Sequence, residues 1–400
     1  MLSGKNILLG VCGGIAAYKT AHLVREFIKA GANVKCIQTP ASKDFITPLT
    51  LATLSKNEVF SEFTSEEENP RWNDHVDLAL WADLLVIAPA TANTLGKMCQ
   101  GICDNLLMAA YLSAKCPVYF APAMDLDMYK HPSTSDNLEK LLSFGNIMIP
   151  AESGELASGL VGEGRMAEPE NILRFIQEDI SSKMPLKGKK AVVTAGPTYE
   201  AIDPVRFIGN RSSGKMGCHI ALCLAKKGAK VNLILGPSSQ NPSHPNINIV
   251  RVETATEMYT ESMKNFDSAD IAVLSAAVAD YRPKDVSDLK IKKESGIPQI
   301  HLEPTKDILA EMGKLKKDQF LVGFALETHN ELKNAQSKLE RKNLNMIVLN
   351  SLQDKGAGFQ GDTNKITILT DSNKIIRFEL KSKQEVAQDI INTILSEINA

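Results

Sequence analysis

The sequence lacks an excess of charge of either sign, and it lacks a long hydrophobic run. Its 45 Lys and Arg residues against 47 Asp and Glu give a formal net charge of −2, so neither a nucleic-acid partner nor a membrane partner is expected. No apolar run approaches the roughly 20 residues that span a bilayer. The first residues lead into a Gly-rich loop rather than a cleavage site, which predicts a β-strand there and not a secretion signal.

Cysteine is too sparse and too scattered for a disulfide framework. The seven cysteines are odd in number and are spread between positions 12 and 223. Cys99 and Cys103 could share a helix face, but there is no second pair at zinc spacing and no nearby His, so no zinc site is expected there. The thiols therefore predict a reduced, cytoplasmic protein.

The length of the chain is enough for two domains. Four hundred residues exceed what one hydrophobic core usually organises. A polar, Lys-rich stretch at 180–190 separates two halves, and we expect domains at 1–184 and 185–400. Each half alternates short apolar runs with helical patterns. This predicts an α/β fold class with two doubly wound, mostly parallel sheets, flavodoxin-like or Rossmann-like, the second carrying a β-hairpin within 365–380.

A glycine loop follows the first predicted strand. Gly13 and Gly14 precede a helix that begins near Ile15, where unpaired N–H groups could bind a phosphate. The spacing differs from GxGxxG, and the second strand ends without the acidic residue that a dinucleotide site expects. Hydroxyls at Thr39 and Ser42 suit a phosphate better. A mononucleotide, flavin included, therefore fits better than NAD, with a tight turn that binds nothing as the alternative.

Two more loops end predicted strands of the same sheet. Residues 89–94, Pro-Ala-Thr-Ala-Asn-Thr, follow the apolar run 84–88, and residues 122–125, Pro-Ala-Met-Asp, follow 117–121. Ligands of doubly wound sheets bind at the carboxyl ends of the strands, so these loops and the glycine loop should lie together. The Gly-rich residues 151–166 predict a mobile flap, or else an ordinary surface loop.

A second candidate anion site opens the C-terminal half. The stretch 192–217 runs from an apolar strand through a loop of small residues to a helix start. Its residues Gly209 to Lys215 fit the first seven positions of the phosphate-binding pattern GxxxxGK[ST], but Met216 cannot supply the hydroxyl that binds Mg²⁺. This disfavours a P-loop kinase. It leaves a phosphate loop without P-loop chemistry, or a structural turn.

Later loops of the C-terminal half also suit a nucleotide. Small residues at 275–279 and then Asp280 follow a buried apolar run, which would let a base or ribose lie close to the backbone. The basic stretch 288–294 predicts either a lysine arm that closes over a triphosphate or a solvated loop. Lys338 and Lys342 lie four positions apart on one face of a predicted helix.

These motifs carry a resemblance over nearly all of the chain. The loop from Gly10 to Lys19, the stretches 89–94 and 122–125, and the Gly-rich flap resemble the flavin-dependent cysteine decarboxylase family. The stretch 192–217 resembles phosphopantothenate–cysteine ligase. The order of the two halves resembles the bifunctional coenzyme A biosynthesis flavoproteins of bacteria.

For the first half, the resemblance implies FMN and a catalytic histidine. The implied flavin-binding positions are Gly13, Gly14, Ile15, Thr39, Ser42, Pro89, Ala90, Thr91, Ala92 and Asn93. His75 is implied as an acid or base near the substrate thiol, although a lone His of this kind is more often structural. The 122–125 motif is implied to contact the substrate carboxylate.

The implied chemistry explains why a flavin is needed. An amide-linked cysteine carboxylate has no electron sink, so direct loss of CO₂ would leave an unstabilised carbanion. Oxidation of the thiol-bearing carbon to a thioaldehyde places a thiocarbonyl beta to the carboxylate. Decarboxylation then gives an enethiolate, and the electrons return from the reduced flavin.

Two catalytic positions depart from the family pattern. Asp125 stands where the family usually has Asn, and an ionised carboxylate would repel the substrate carboxylate unless Asp125 is protonated or has a different partner. Ser158 stands where the family usually has a Cys that donates a proton during the final reduction, a step for which a hydroxyl is much less suited than a thiol. We expect the final reduction to be the step most affected.

For the second half, the resemblance implies ligation that uses CTP and Mg²⁺. Phosphopantothenate would attack the α-phosphate of CTP, and the cysteine amine would then displace CMP. Asn210 and Arg206 are implied at the acyl-cytidylate intermediate. The implied CTP-binding positions are Ser275, Ala276, Asp280, Lys290, Asp307, Ile308, Phe324, Lys338 and Lys342. The magnesium ligands are left open.

The resemblance thus implies one chain that makes phosphopantothenoylcysteine and decarboxylates it to 4′-phosphopantetheine. The resemblance also implies a homo-oligomer in which decarboxylase trimers are linked by ligase dimers. Two alternatives stand beside this function. One is an active ligase with an altered decarboxylase that stops at the enethiol, and the other is a flavin-binding regulatory protein.

Overall fold

The chain forms two compact units. A computed structural model describes residues 2–64, 72–292, 299–327, 329–351 and 361–398. The first unit is Met1–Ser182 and the second is Lys183–Ala400. The boundary lies two residues before the one expected from the polar stretch, because the last helix of the first unit runs into that stretch as far as Ser182.

The first unit is built on a parallel sheet. Its strands are β1 (Asn6–Val11), β2 (Asn33–Gln38), β3 (Val59–Phe60), β4 (Leu84–Ala90), β5 (Val118–Pro122) and β6 (Ile147–Met148). Their order across the sheet is β3-β2-β1-β4-β5-β6, with parallel pairing throughout. Every residue of β4 is buried, as expected for a central strand whose two faces are both covered.

An antiparallel hairpin follows this sheet, and helices cover its two faces. The hairpin pairs β7 (Glu152–Glu155) with β8 (Val161–Arg165). The helices are α1 (Thr20–Lys29), α2 (Pro48–Ser55), α3 (His75–Trp81), α4 (Ala92–Gln100), α5 (Leu106–Ser113), α6 (Leu126–Lys130), α7 (Pro132–Ser143) and α8 (Pro169–Ser182). Successive residues of β1 pack on opposite faces, Leu9 with α1 and α8, and Leu8 with α4 and α5.

Three local expectations differ from the structure in detail. The helix predicted to begin near Ile15 starts as a 3₁₀ helix, Ile15–Lys19, before α1. The strand predicted to end at residue 88 extends to Ala90, since Ala90 pairs with Pro122 and accepts a hydrogen bond from the Ala123 N–H group. The Gly-rich flap forms the β7–β8 hairpin. In the last two cases the structure depends on a neighbouring strand, β5 for the end of β4 and β8 for β7. A local sequence pattern does not show which strands pair.

The second unit contains a larger mixed sheet. Its strands in chain order are β9 (Lys190–Ala195), β10 (Tyr199–Ala201), β11 (Phe207–Gly209), β12 (Lys230–Leu235), β13 (Ile247–Arg251), β14 (Ile271–Leu274), β15 (Tyr281–Pro283), β16 (Leu302–Pro304), β17 (Phe320–Glu327), β18 (Met346–Ser351), β19 (Thr363–Asn364), β20 (Ile366–Thr370), β21 (Ile375–Arg377) and β22 (Lys381–Ser382). The sheet order is β13-β12-β9-β14-β17-β18-β20-β21, parallel as far as β18 and antiparallel beyond it. The α/β fold class and the added hairpin, β20–β21, are confirmed.

Helices also cover both faces of the second sheet. They are α9 (Lys215–Lys226), α10 (Ala255–Phe266), α11 (Ile308–Leu315), α12 (Glu331–Arg341) and α13 (Lys383–Ile398). Val193 of β9 packs towards α9 and α13, while Val192 packs towards α10, α11 and α12. In both units the strand order reverses at one place, between β1 and β4 and between β9 and β14. Crevices form at such points, outside the carboxyl ends of the strands.

Gly217 sets the distance between α9 and the sheet beneath it. A Cβ atom added at Gly217 would lie 2.5 Å from Ser275 Oγ, and it would also clash with Ala195 Cβ. The first turn of α9 therefore lies directly on the ends of β9 and β14.

Replacing Gly217 with Ala should destabilise the second unit by about 1–3 kcal/mol because of overpacking. This cost exceeds the roughly 1 kcal/mol that Ala adds in helix propensity. Calorimetry of the full chain should show one transition moved to lower temperature. Gly96→Ala in α4 is the matched control, since its added Cβ would have Asn137 Nδ2 as nearest neighbour at 3.8 Å, and it should be neutral or stabilising. Equal stability of Gly217→Ala and the wild type would contradict the close packing.

Candidate functional site

A cavity of 1010 Å³ opens at the carboxyl ends of β1, β2, β4 and β5, with the β7–β8 hairpin forming one wall. It lies at the reversal of strand order, where the fold predicts a ligand. The sequence-predicted residues that line it are Gly13, Gly14, Ile15, Thr39, Thr91, Ala92, Asn93, Asp125 and Ser158. Loops that lie far apart in the chain are thus brought together as expected.

Four other predicted positions lie outside the lining of this first cavity. Pro89 and Ala90 are buried within β4. Ser42 is fully buried beneath the cavity wall, where its hydroxyl donates to the Thr39 carbonyl at 2.8 Å. His75 begins α3 and lies edge-on to the ring of Phe63, with ring centroids 6.4 Å apart. The His75 Nδ1 atom is buried and has no hydrogen-bond partner in the described part of the chain.

The first cavity has the features that a flavin mononucleotide needs. Thr39 Oγ1 is buried in the wall and has no hydrogen-bond partner among the residues described, so it is available to a phosphate or ring oxygen. Gly13 lets two loops approach closely, since a Cβ at this position would lie 2.7 Å from Ala41 Cβ. The residues therefore fit the cofactor that the sequence predicts.

One buried and two half-buried charged side chains join the glycine loop to the end of the hairpin, which the sequence reasoning missed. Lys19 is only 6% exposed, and its Nζ donates to the Met166 carbonyl at 2.9 Å and to Glu168 at 3.0 Å. Arg165, at the end of β8, donates to the same Glu168 carboxylate at 2.6 Å. Although burial opposes ionisation, these two cations hold the pKa of Glu168 below its usual range. The signal in the sequence was a lysine at the end of an otherwise apolar loop.

The two residues that depart from the family pattern contact each other. Ser158 Oγ donates a hydrogen bond to Asp125 Oδ1 at 2.9 Å. The Leu126 N–H group donates to the same oxygen at 2.8 Å. Both side chains face the first cavity. Asp125 and Ser158 therefore form a single polar group, although 33 positions separate them in the sequence.

A second, smaller cavity of 170 Å³ lies in the C-terminal unit, at the start of α9 and the carboxyl ends of β14 and β17. Three predicted residues line it: Ser275, Ala276 and Phe324. Lys383 also lines it, and burial, together with the nearby Lys215, lowers the pKa of this lysine. Lys383 had no signal in the sequence, because it belongs to a helix more than a hundred positions further along the chain.

Asn210 connects the loops that meet at the strand-order reversal of the second unit. Its Nδ2 group donates to the carbonyls of Ala277 at 3.0 Å and Val278 at 3.3 Å. These carbonyls belong to the loop that follows β14. Lys215, by contrast, forms an ion pair of 2.5 Å with Asp362, and Met216 packs against the core. The geometry therefore gives no P-loop arrangement around Lys215.

A buried carboxylate, Asp203, holds Arg206 next to Ile291, in the described part (288–292) of the basic stretch 288–294. The Arg206 guanidinium donates to Asp203 through two of its nitrogens and to the Ile291 carbonyl at 2.9 Å. The Ile291 N–H group donates to Asp203 at 3.2 Å. Lys290, which precedes Ile291, is exposed. Asp203 therefore positions Arg206 and Lys290 together, and sequence reasoning did not find it.

The remaining predicted nucleotide-binding residues form a group around α11 and α12. Asp307 caps α11, which begins at Ile308, and it accepts a 2.6 Å hydrogen bond from Lys342. Lys338 donates to the Phe324 carbonyl at 2.8 Å, which links this group to the second cavity. Asp280 has an exposed side chain, and its backbone carbonyl accepts a hydrogen bond from the Thr305 N–H group.

Comparison with known proteins decides the family. The flavoprotein family profile matches residues 1–181, and the profile of the DNA/pantothenate metabolism flavoprotein C-terminal domain matches residues 186–398. The coenzyme A biosynthesis bifunctional protein CoaBC of Bacillus subtilis (strain 168) is 44% identical over 396 residues, which are 98% of this chain and 97% of that protein. The chain belongs to this family of bifunctional coenzyme A biosynthesis proteins. The resemblance drawn from its motifs is confirmed.

Two further proteins are similar to the chain. A cysteine/cysteine sulfinic acid decarboxylase from an unknown prokaryotic organism is 58% identical over 360 residues, covering 88% of this chain and all of that protein. The crystal structure of the C-terminal domain of a coenzyme A biosynthesis bifunctional protein CoaBC is 39% identical, with a TM-score of 0.47, and covers 54% of this chain and 99% of that one.

Membership of the CoaBC family makes the chain an enzyme of coenzyme A biosynthesis with a decarboxylase half and a ligase half. The flavin cofactor predicted for the first half is confirmed by its flavoprotein domain. Across the described residues, no helix is long and apolar enough to cross a membrane. In the same residues, no group of three His, Cys, Asp or Glu side chains is placed to hold a metal ion.

The Asp203 site should make the CoaBC fold of the second unit sensitive to acid. The Arg206 guanidinium, helped by backbone N–H donors, holds the pKa of Asp203 well below its usual range. A carboxyl whose pKa is lower in the folded chain stabilises the fold above its unfolded pKa of about 4, and this stabilisation is lost as the pH falls further. Asp203→Asn should therefore lower the melting temperature at pH 7 and should lose less stability than the wild type below about pH 4.

Melting curves between pH 7 and pH 3 test this expectation. Asp318→Asn is the matched control, because Asp318 is exposed and forms no ion pair with the residues described. It should follow the wild type at every pH. A parallel pH profile for Asp203→Asn and the wild type would contradict the role of the pair.

Proposed function

We propose that this chain couples 4′-phosphopantothenate to L-cysteine with CTP and then decarboxylates the product to 4′-phosphopantetheine. The observation that carries the proposal is the match to one bifunctional protein, across both halves and in the same order, over 98% of the chain. Each half also has a cavity at the carboxyl ends of its central strands. We assign decarboxylation to residues 1–184 and ligation to residues 185–400.

FMN would lie in the first cavity. When bound, it supplies the reversible two-electron oxidation of the thiol-bearing carbon that decarboxylation requires. Gly13, Gly14 and Ile15 would bind the phosphate through their N–H groups, and Thr39 would donate its free hydroxyl. The side chains and backbone of residues 91–93 would hold the ring from the other side. Ser42, Pro89 and Ala90 would support these contacts from beneath.

The substrate would lie between the flavin and the hairpin. Asp125 and Ser158 face this space, and Ser158 would relay a proton from water during the final reduction. Lys19 and Arg165, which share the Glu168 carboxylate, lie in the same wall. Together these residues orient the cysteine end of the substrate.

His75 would act on a neighbouring copy of the chain. In its own chain it lies outside the first cavity, and the residues around it expose apolar surface: Trp72 is 61%, Val76 42% and Leu80 55% exposed. We propose that this surface packs against a second copy and so brings His75 to that copy's cavity, in trimers linked by ligase dimers. Light scattering should give the mass of an oligomer, and an active monomer would contradict the assignment.

In the second half, the chain's residues would hold CTP and the acyl-cytidylate. Asn210, whose Nδ2 group donates to the Ala277 and Val278 carbonyls, would turn from them to donate hydrogen bonds to the intermediate, and Arg206 and Lys290 would neutralise phosphate charge together with Mg²⁺. Ser275, Ala276, Asp280 and Phe324 would surround the base and ribose, and Asp307, Ile308, Lys338 and Lys342 would complete the nucleotide site. All seven cysteines are free thiols, which supports the cytoplasm as the location.

The complete reaction can be tested in one mixture. The purified protein receives phosphopantothenate, L-cysteine, CTP and Mg²⁺, and the products are identified by mass. We expect CMP, pyrophosphate, CO₂ and phosphopantetheine. Accumulation of phosphopantothenoylcysteine alone would overturn the decarboxylase assignment, and absence of CMP would overturn the ligase assignment.

Replacing Asn210 with Asp should lower the rate of ligation by about 100- to 1000-fold, because a donor to the intermediate is lost. Flavin absorbance and decarboxylation of supplied phosphopantothenoylcysteine should be retained. Asn392→Asp is the matched control, since Asn392 is exposed on α13 and bonds Gln388. It should ligate at the wild-type rate. Undiminished ligation by Asn210→Asp would refute the role of Asn210.

A second candidate substrate for the first cavity is unacylated cysteine. The relative that is 58% identical is named for decarboxylation of cysteine and cysteine sulfinic acid. In the present chain, the Asp125 carboxylate in the first cavity favours a substrate that carries a positive charge.

A further inference from the structure

The first cavity contains a carboxylate without a cationic partner. Its lysines and its arginine are already paired within the chain: Lys19 and Arg165 with Glu168, and Lys97 with Asp104 at 2.7 Å. Within the described residues, no Lys, Arg or His nitrogen lies within 4 Å of the Asp125 carboxylate. The cavity therefore has negative charge at Asp125 that the protein itself does not neutralise.

One oxygen of Asp125 is available to a ligand. The hydrogen bonds from Ser158 and from the Leu126 N–H group both end on Oδ1. In the part of the chain that the structure describes, Oδ2 accepts no hydrogen bond. Because Ser158 fixes the carboxylate from one side, its other oxygen is held in place towards the cavity. A cationic donor from the substrate would complete the site.

We propose that the first cavity also decarboxylates free L-cysteine, with Asp125 binding the α-ammonium group of this substrate. The inference rests on the proposed function in one respect, namely that this cavity is the flavin-dependent decarboxylase site. It adds an unacylated amino acid to the substrates of that site.

The charge of the substrate nitrogen decides the preference. In free cysteine, the α-nitrogen is a cation with three N–H donors, and it forms a charge-assisted hydrogen bond with a carboxylate. In phosphopantothenoylcysteine, the same nitrogen is a neutral amide with one N–H group. The ammonium group of bound L-cysteine would also lie between the Asp125 carboxylate and the substrate's own carboxylate. Its positive charge would offset the repulsion between these two negative groups.

The reaction balances without an external oxidant. The bond between Cα and the carboxyl carbon breaks, CO₂ leaves, and a proton from solvent is added at Cα to give 2-aminoethanethiol. Bound FMN would supply the temporary withdrawal of two electrons from the thiol-bearing carbon and their return, so no external oxidant is consumed. The substrate thiol and the flavin both end in their starting oxidation states.

The test compares two substrates in the same protein preparation. The flavin-loaded full chain receives either L-cysteine or phosphopantothenoylcysteine, and CO₂ and the thiol product are measured. Wild type should convert L-cysteine to 2-aminoethanethiol. Asp125→Asn should lower kcat/KM for L-cysteine by about 10- to 100-fold, the loss expected when a hydrogen bond between charged groups is removed. Its kcat/KM for phosphopantothenoylcysteine should fall by a smaller factor, because the amide nitrogen of that substrate carries no positive charge, so the ratio of the two kcat/KM values should drop.

The ratio of the two kcat/KM values separates substrate preference from misfolding, because a partly folded preparation loses both activities together. Asp127→Asn is the matched control. Asp127 is exposed on the same short helix, α6, and does not line the cavity, so the ratio should not change. N-acetyl-L-cysteine provides a second check, since it has the same thiol and carboxylate without the cation. It should be a poorer substrate than L-cysteine for wild type, and this difference should shrink in Asp125→Asn.

Each result has one meaning. If wild type converts phosphopantothenoylcysteine and not L-cysteine, the inference is overturned and the proposed function stands. If it converts L-cysteine alone, the inference holds and the proposed decarboxylation of phosphopantothenoylcysteine fails. If neither substrate reacts, both are overturned. If the ratio is the same in Asp125→Asn as in wild type, Asp125 does not recognise the ammonium group.

Discussion

The reversal of strand order in each parallel sheet is the constraint on which both sites depend. The segments that follow the two neighbouring strands at the reversal pass to opposite faces of the sheet, so a crevice opens between these segments. In the first unit this crevice lies between β1 and β4, and in the second between β9 and β14. The glycine loop and residues 91–93 face one crevice, and Asn210 lies across the other. No single element builds either site.

The strand ends explain why much of the first site could be predicted from sequence. Thr91 and Asp125 each follow shortly after an apolar run, and parallel strands bring their carboxyl ends to the same edge of the sheet. Residues next to a strand end are not all equivalent, however. Ser42 also belongs to the loop that follows β2, but its hydroxyl turns back to the Thr39 carbonyl. Local bonds of this kind compete with ligand binding, and composition does not reveal them.

Long-range partners set the limit of sequence reasoning. Asp203 bonds the Ile291 N–H group from 88 positions away, and Lys19 bonds Glu168 from 149 positions away. Neither pair belongs to a motif, since each depends on where loops meet after folding. His75 shows the same limit in another form. A motif can identify the residue, but its own chain does not bring it to the first cavity.

Charge pairing distinguishes the two sites. In the second unit, the Arg206 and Lys342 cations are held by Asp203 and Asp307, so a nucleotide would meet side chains that are already oriented. Lys290, by contrast, is an exposed arm with no ion pair among the described residues, and it can move to a triphosphate without breaking one. In the first unit the unpaired charge is negative, at Asp125. Since an unpaired charge in a cavity selects for its opposite, Asp125 favours a cationic group in one part of a cavity whose glycine loop suits a phosphate, whereas Lys290 favours the phosphates of a nucleotide.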